Sequence, residues 1–195
     1  MGCKKDTIHP NIKIVGSDTL EIIYGIPTGD PGATASDSKD GDITNKIKSN
    51  WSDKVDFENL GVYKVTYYVE DKKGNEATAD RTVIVKLNSN SYLGEYNTTW
   101  TVAGQGTSNI FTSTITKGGN ENQFVIYPFK QENVYLKVSI NGLLGNELSF
   151  SQTDGGVYTE GNGSIQKNGE IINLTFTSSS AVGGTFNCNS TLTKK

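Results

Sequence analysis

Histidine is nearly absent from this sequence: His9 is the only one in 195 residues. It stands before Pro10 in the N-terminal segment, which suits neither a Ser–His–Asp triad nor a zinc site built on several imidazoles. Cysteine is almost as scarce, with Cys3 and Cys188 alone. Cys188 has no second His to activate it as a nucleophile. No apolar run is long enough to cross a membrane as a helix. Clustered basic charge is missing too. The formal net charge is −3, and Lys4-Lys5, Lys72-Lys73 and Lys194-Lys195 are isolated pairs. Nothing neutralises a row of phosphates, so nucleic acid is excluded as a partner. The glycine pairs separate strand-like runs and no helix pattern follows them, so no phosphate-cradling loop is present. No window carries a sustained helical stripe.

What remains is Val, Ile, Thr, Tyr and Phe in short runs split by Gly and Asn, an all-β composition. The clearest run is 61–87. Tyr63, Val65, Tyr67 and Val69 alternate with Lys64, Thr66, Tyr68 and Glu70, the period of a half-buried strand. The turn residues Asp71-Lys72-Lys73-Gly74-Asn75 follow. Val83, Val85 and Leu87 then resume an apolar face, so 61–87 is expected to form a long antiparallel hairpin. Arg81 falls on the apolar parity and needs an open end, a bulge or a carboxylate. A hairpin is not stable alone, so the residues before it must supply a facing sheet. Strands are expected over 7–14 and 19–24, with turns at Pro31-Gly32 and Asp40-Gly41. Ile43, Ile47 and Trp51 offer apolar anchors, Trp51 as a core plug. About seven short strands in this span fit an Ig-like sandwich.

The ordered motifs Asp-Pro-Gly-Ala (30–33), Asp-Gly-Asp-Ile-Thr (40–44), Gly-Val-Tyr-Lys-Val-Thr-Tyr (61–67), Asp-x-x-Gly-Asn-x-Ala-Thr-Ala (71–79) and Arg-Thr-Val (81–83) resemble a bacterial Ig-like family. That family is related to hyalin-repeat modules and is common in surface proteins of Bacteroidetes. The resemblance covers 8–87. It implies a sandwich used as a spacer or adhesion module, and no catalytic residues. The start, Met1-Gly2-Cys3-Lys4-Lys5-Asp6, resembles the mature start of a bacterial lipoprotein. It implies Cys3 as the lipidated anchor, 1–7 as a tether, and an exported protein held at the cell surface or outer membrane through lipid only. The alternative is a chance Cys near a start codon. Sequence separation does not forbid a Cys3–Cys188 disulfide, but lipidation would, leaving Cys188 a buried free thiol.

Residues 88–91, Asn-Ser-Asn-Ser, read as a polar linker. From 92 to 195, strands are expected over 92–102, 109–117, 122–127, 134–140, 147–150, 157–166, 170–177 and 185–193. The breaks are glycine-rich, and Asn168-Gly169 is a two-residue hairpin signal. Eight consecutive strands with short turns fit an eight-stranded antiparallel barrel; a second open sandwich is the alternative. Tyr-x-Gly-x-Tyr (92–96) and Gly-x-Gly-x-Ile-x-x-Asn-Gly (161–169) resemble lipocalin-like or calycin-like domains of Bacteroides surface lipoproteins.

Candidate chemistry is sparse. Asp37, Asp40, Asp42 and Asp71 offer oxygen ligands for calcium. They lack EF-hand spacing, and turn capping is the preferred reading, so no metal is favoured. Glu121, Glu132, Glu147, Asp154, Glu160 and Glu170 read mostly as turn or strand-end carboxylates, and a glycosidase needs two facing one cleft. Aromatics are the better lead. Trp100, Tyr127, Tyr135 and Tyr158 are the candidate ligand-binding residues, because sugar rings stack on flat aromatic faces; core filling is the competing role. The expectation is a non-enzymatic surface lipoprotein without cofactor. An Ig-like spacer presents a barrel that binds a glycan or other small ligand. The alternative is a structural or adhesion module that contacts a surface protein and takes no small ligand.

Overall fold

The computed structural model describes residues 7–129, 134–166 and 169–195. They divide into two compact units, Met1–Val85 and Lys86–Lys195.

The first unit opens with β1 (Asn11–Ile14), β2 (Thr19–Ile23), β3 (Ala33–Asp37), β4 (Gly41–Asp42) and β5 (Lys48–Ser49). A short helix, α1 (Trp51–Lys54), precedes the hairpin of β6 (Gly61–Glu70) and β7 (Glu76–Lys86). The strands form two sheets, β1-β3-β4 and β2-β7-β6-β5, so the hairpin gains the facing sheet it needs. Its register is continuous from Gly61–Val85 to Glu70–Glu76. Val65, Tyr67, Val83 and Val85 are fully or almost fully buried and pack with Ile22, Trp51 and Val55; Ile12 and Ile14 of the opposite sheet close on them. This is the sandwich expected from the alternation, with Trp51 in its core.

Arg81 resolves its odd parity through a carboxylate. It is 1% exposed, and its Nη1 lies 3.8 Å from Asp30 Oδ1. Nη2 donates to the carbonyls of Val15 and Gly32, and the guanidinium lies over the Tyr67 ring. The Tyr67 hydroxyl donates to Asp30 as well. Burial, then this bond, drives the Tyr67 phenol well above its ordinary range.

In the second unit, 88–91 is followed straight into a 3₁₀ turn, Ser89–Tyr92. Asn88 caps it: its side chain accepts the Asn90 N–H, while the Ser91 hydroxyl accepts the Asn88 N–H. Ser89 and Tyr92 are buried. The wall then runs β8 (Gly94–Val102), a short β9 (Gly106–Thr107), β10 (Phe111–Lys117), β11 (Gln123–Phe129), β12 (Val134–Asn141), β13 (Glu147–Asp154), β14 (Val157–Gln166), β15 (Ile171–Ser180) and β16 (Gly184–Lys194). β8 pairs with β10 on one side and β16 on the other, which closes an eight-stranded antiparallel barrel; β9 hangs from β8. The eight barrel strands are the expected ones, except that β8 starts at Gly94, and β11, β13 and β15 run on to Phe129, Asp154 and Ser180; β9 is additional. The expected turn at Asn168 lies outside the described residues.

Strict alternation fills the barrel. Phe124, Ile126, Leu136, Val138, Leu148, Phe150, Ile172, Leu174, Phe176 and Leu192 point inward and are buried. One end is sealed. The Tyr92 hydroxyl donates to the Gly145 carbonyl, and the Tyr96 hydroxyl donates to the carbonyls of Tyr92 and Gly169. Tyr92 also packs on Phe124, ring centroids 4.9 Å apart. Burial pushes the Tyr96 phenol up to about 12, and Tyr92 further in the same direction.

One line in the wall is thin. β12 and β13 pair only at Ser139–Ser149, Ile140–Leu148 and Asn141–Glu147. Beyond that the Gln152 amide bridges them, accepting from the Lys137 N–H at 2.9 Å and donating to the Tyr135 carbonyl. By contrast β14 and β15 pair from Val157–Ser180 to Gln166–Ile171 without a break.

Candidate functional site

The four aromatic candidates do not share one site. Trp100 lies on the inward face of β8, between the buried Thr98 and Val102. With Val157, Ser180, Phe186 and Cys188 it lines a shallow mouth of about 240 Å³ at the unsealed end. Cys188 is buried, and its thiol donates to the Phe186 carbonyl at 3.8 Å. Tyr127 and Tyr135 sit on the outward parity of β11 and β12 and stack on each other, centroids 4.2 Å apart and planes at 20°. Tyr158 is also on the outer wall, on β14, with 38% of it exposed. Its ring edge, not its face, makes the recorded contacts. The hydroxyl donates to Glu160 Oε2 at 2.7 Å and lies 3.1 Å from Ser151 Oγ.

Tyr158 thereby adjoins a groove of about 800 Å³ on the outer wall of β12–β16. Cross-strand register builds its floor. Ser139 faces Ser149, Ser149 faces Asn162, Asn162 faces Thr175, and Thr175 faces Asn189. A second row lies two residues along: Ser151 faces Glu160, Glu160 faces Thr177, and Thr177 faces Asn187. Between the rows, Phe150, Gly161, Phe176 and Cys188 turn inward, so the outward positions of the two rows are hydroxyls, amides and Glu160, with Ala103 beside Asn187 at one end. Among the described residues, Glu160 is the only charged one lining the groove. It stands within β14, inside the strand expected over 157–166. Gly161 sits beneath the floor because nothing larger fits. A Cβ there would lie 2.3 Å from the Thr175 carbonyl oxygen and 2.6 Å from the Phe176 Cβ.

The aspartates considered for calcium are occupied with backbone. Asp37 Oδ1 accepts the N–H groups of Lys39 and Asp40, and Asp42 Oδ1 accepts that of Thr44. Asp40 accepts the Lys72 N–H and pairs with its ammonium at 3.3 Å. Asp71 accepts the N–H groups of Lys73 and Asn75 and the Asn75 side-chain amide. The backbone donors of Asp40 and Lys39 hold the Asp37 carboxyl below its usual range, and the Thr44 N–H does the same for Asp42. Burial pushes Asp71 up, but the Asn75 and Lys73 donors outweigh it and the net direction is down. Among the described residues, no group of three or more His, Cys, Asp or Glu is arranged to hold a metal ion. Cys3, the expected lipid site, lies outside the described residues.

A seven-stranded Ig-like sandwich and a closed antiparallel barrel define the class: an all-β protein of two units with a groove on an outer wall. Residues 12–85, within the first unit, match the family described as bacterial surface protein, Ig-like domain. Comparison with curated proteins finds no match. Among solved structures the chain is similar to a lipoprotein of Bacteroides thetaiotaomicron, at 18% identity over 93% of this chain and 98% of that one, TM-score 0.37. It is similar to a Bacteroides ovatus protein of unknown function, at 11% identity over 95% of this chain and 75% of that one, TM-score 0.41. A third is a Clostridium perfringens ZmpB structure of CBM51-2 in complex with GlcNAc and INT domains. There identity is 15% over 94% of this chain and 43% of that one, TM-score 0.33. At such TM-scores none of these likenesses bears on a ligand.

Proposed function

We propose that this is a non-catalytic surface protein whose Ig-like unit acts as a spacer and whose barrel binds a glycan along its outer wall. The observation that carries this reading is the groove, a band of hydroxyls and amides spanning five strands with, among the described residues, one carboxylate and no Lys or Arg. Such groups match the hydroxyls of a sugar, which both donate and accept. Among the described residues the groove wall holds no second carboxylate beside Glu160, and glycoside hydrolysis needs a pair. The interior is filled by side chains, which leaves only the shallow mouth at Trp100 for a ligand inside the barrel. Anchoring at the cell surface through an acylated Cys3 completes the proposal. A glycan array probed with the full chain tests it: binders are expected, and their signal falls in a Glu160→Ala, Asn162→Ala variant that still folds. An array without binders would falsify the glycan reading.

A second reading is adhesion to a surface protein. It is supported by Ile110 and Val182, 71% and 99% exposed beside the unsealed end. Replacing both by Ser, with loss of cell-surface co-capture but no change on the array, would favour it.

A further inference from the structure

We infer that the groove takes an extended, neutral glycan lying across the strands, one sugar per strand from β12 to β16. The inference rests on the glycan reading above and adds the ligand's direction, length and charge.

Direction follows from spacing. Neighbouring strands lie about 4.8 Å apart, whereas outward side chains along one strand recur only every second residue, about 7 Å. A pyranose unit in an extended chain is close to the first distance and well short of the second. The row Ser139, Ser149, Asn162, Thr175, Asn189 is in register on adjacent strands, so it offers one hydroxyl or amide per sugar. The row of Ser151, Glu160, Thr177 and Asn187 runs parallel to it, about 7 Å away. A ring chain between them meets polar groups on both edges.

Length follows from the span. Five strands enclose four spacings, about 19 Å, and beyond β16 the lining adds Ala103, which has no side-chain donor or acceptor. The floor therefore accommodates about five sugars, and further units extend into solvent.

Charge follows from Glu160. Its carboxylate is fixed by the Tyr158 hydroxyl on Oε2, and among the described residues no cation lines the groove. A carboxylate accepts from paired sugar hydroxyls, and such charge-assisted bonds are among the stronger ones. Against a uronate, a sialate or a sulfate it is repulsive, and Lys137, the outward cation at the β12 end of its row, stands two strands away.

The test is calorimetric titration of the full chain with cello-, manno- and xylo-oligosaccharide ladders from monosaccharide to heptasaccharide, and with oligogalacturonates of the same lengths. Affinity for one neutral ladder should rise with each added sugar and level off near the pentasaccharide, while the galacturonates give no heat. Replacing Asn162 and Thr175 together by Ala, at the centre of the row, should weaken binding about tenfold or more. Thr116→Ala, on the outward face of β10 away from the groove, should leave it unchanged. Glu160→Gln should weaken the neutral ladder and admit galacturonates. Circular dichroism confirms that each variant is folded. Full affinity already at the monosaccharide, or preference for the acidic ladder, overturns this inference and leaves the glycan reading standing. Silence on every ladder together with a blank array overturns both.

Discussion

The indole of Trp100 is held on the inward face of β8 with its Nε1–H buried and, among the described residues, without a partner. An unpaired buried donor costs about 1–3 kcal/mol. Trp100→Phe removes that donor and leaves a small void, so the two effects offset. Its thermal midpoint should stay within a few degrees of the parent, whereas Trp100→Ala should cost about 2 kcal/mol or more. If the two variants lose equally, the indole is engaged in something this arrangement does not contain. Trp100 and Tyr158 were both legible as candidates, because aromatics attract suspicion by type. Glu160 was not. It looked like any soluble carboxylate until register placed it between Ser151 and Thr177, and residue spacing along the chain does not reveal cross-strand neighbours.

The elements were far more legible than the site. Alternation in 61–70 and 76–86, and glycine breaks after 141, 154 and 183, marked strands that the structure contains. The groove was hidden because its floor joins Ser149 to Asn189, residues brought together only by the order of β13 to β16. At 88–91 the polar run that reads as a linker caps a 3₁₀ turn in which Ser89 and Tyr92 are buried. Two predictions belong to this scale. On β14, Gly161→Ala presses a methyl against the β15 backbone and should destabilise the barrel by about 1–3 kcal/mol, read as a lower urea midpoint; an unchanged midpoint would mean that β15 shifts freely. In the turns of the sandwich, the Asp37, Asp42 and Asp71 carboxyls titrate below their ordinary value. A depressed folded pKa gives stability that is present above the unfolded value, about 3.9, and is lost as pH falls through the folded one. The first unit should therefore weaken progressively below about pH 4. Trp51 fluorescence in a Trp100→Phe background reports that unit alone. Asp71→Asn should flatten the acid limb; an identical limb in both proteins would remove these turns as its cause.

At the scale of the whole molecule, an acylated Cys3 would place both units outside the cell with 4–7 as a tether. One acyl chain attaches only marginally, so stable anchoring needs more than one. Expressed from its precursor in its own host, Cys3→Ala should move from the membrane fraction to the soluble one. Membrane association that survives the substitution, or a Cys3–Cys188 disulfide in the native protein, removes the anchor from the proposal.

A ring of strands parts where its weakest joint lies, and here that joint is the seam between β12 and β13. Its upper half is held by one glutamine amide in place of backbone rungs. When the barrel breathes, it should unroll along this line, with β13, β14, β15 and β16 peeling away as one ribbon. Amide hydrogens at Lys137 then trade with solvent long before those at Leu174. The groove crosses that seam at Ser139 and Ser149. A chain lying across it would act as a clasp, and the slowing of exchange at Lys137 would show it fastening.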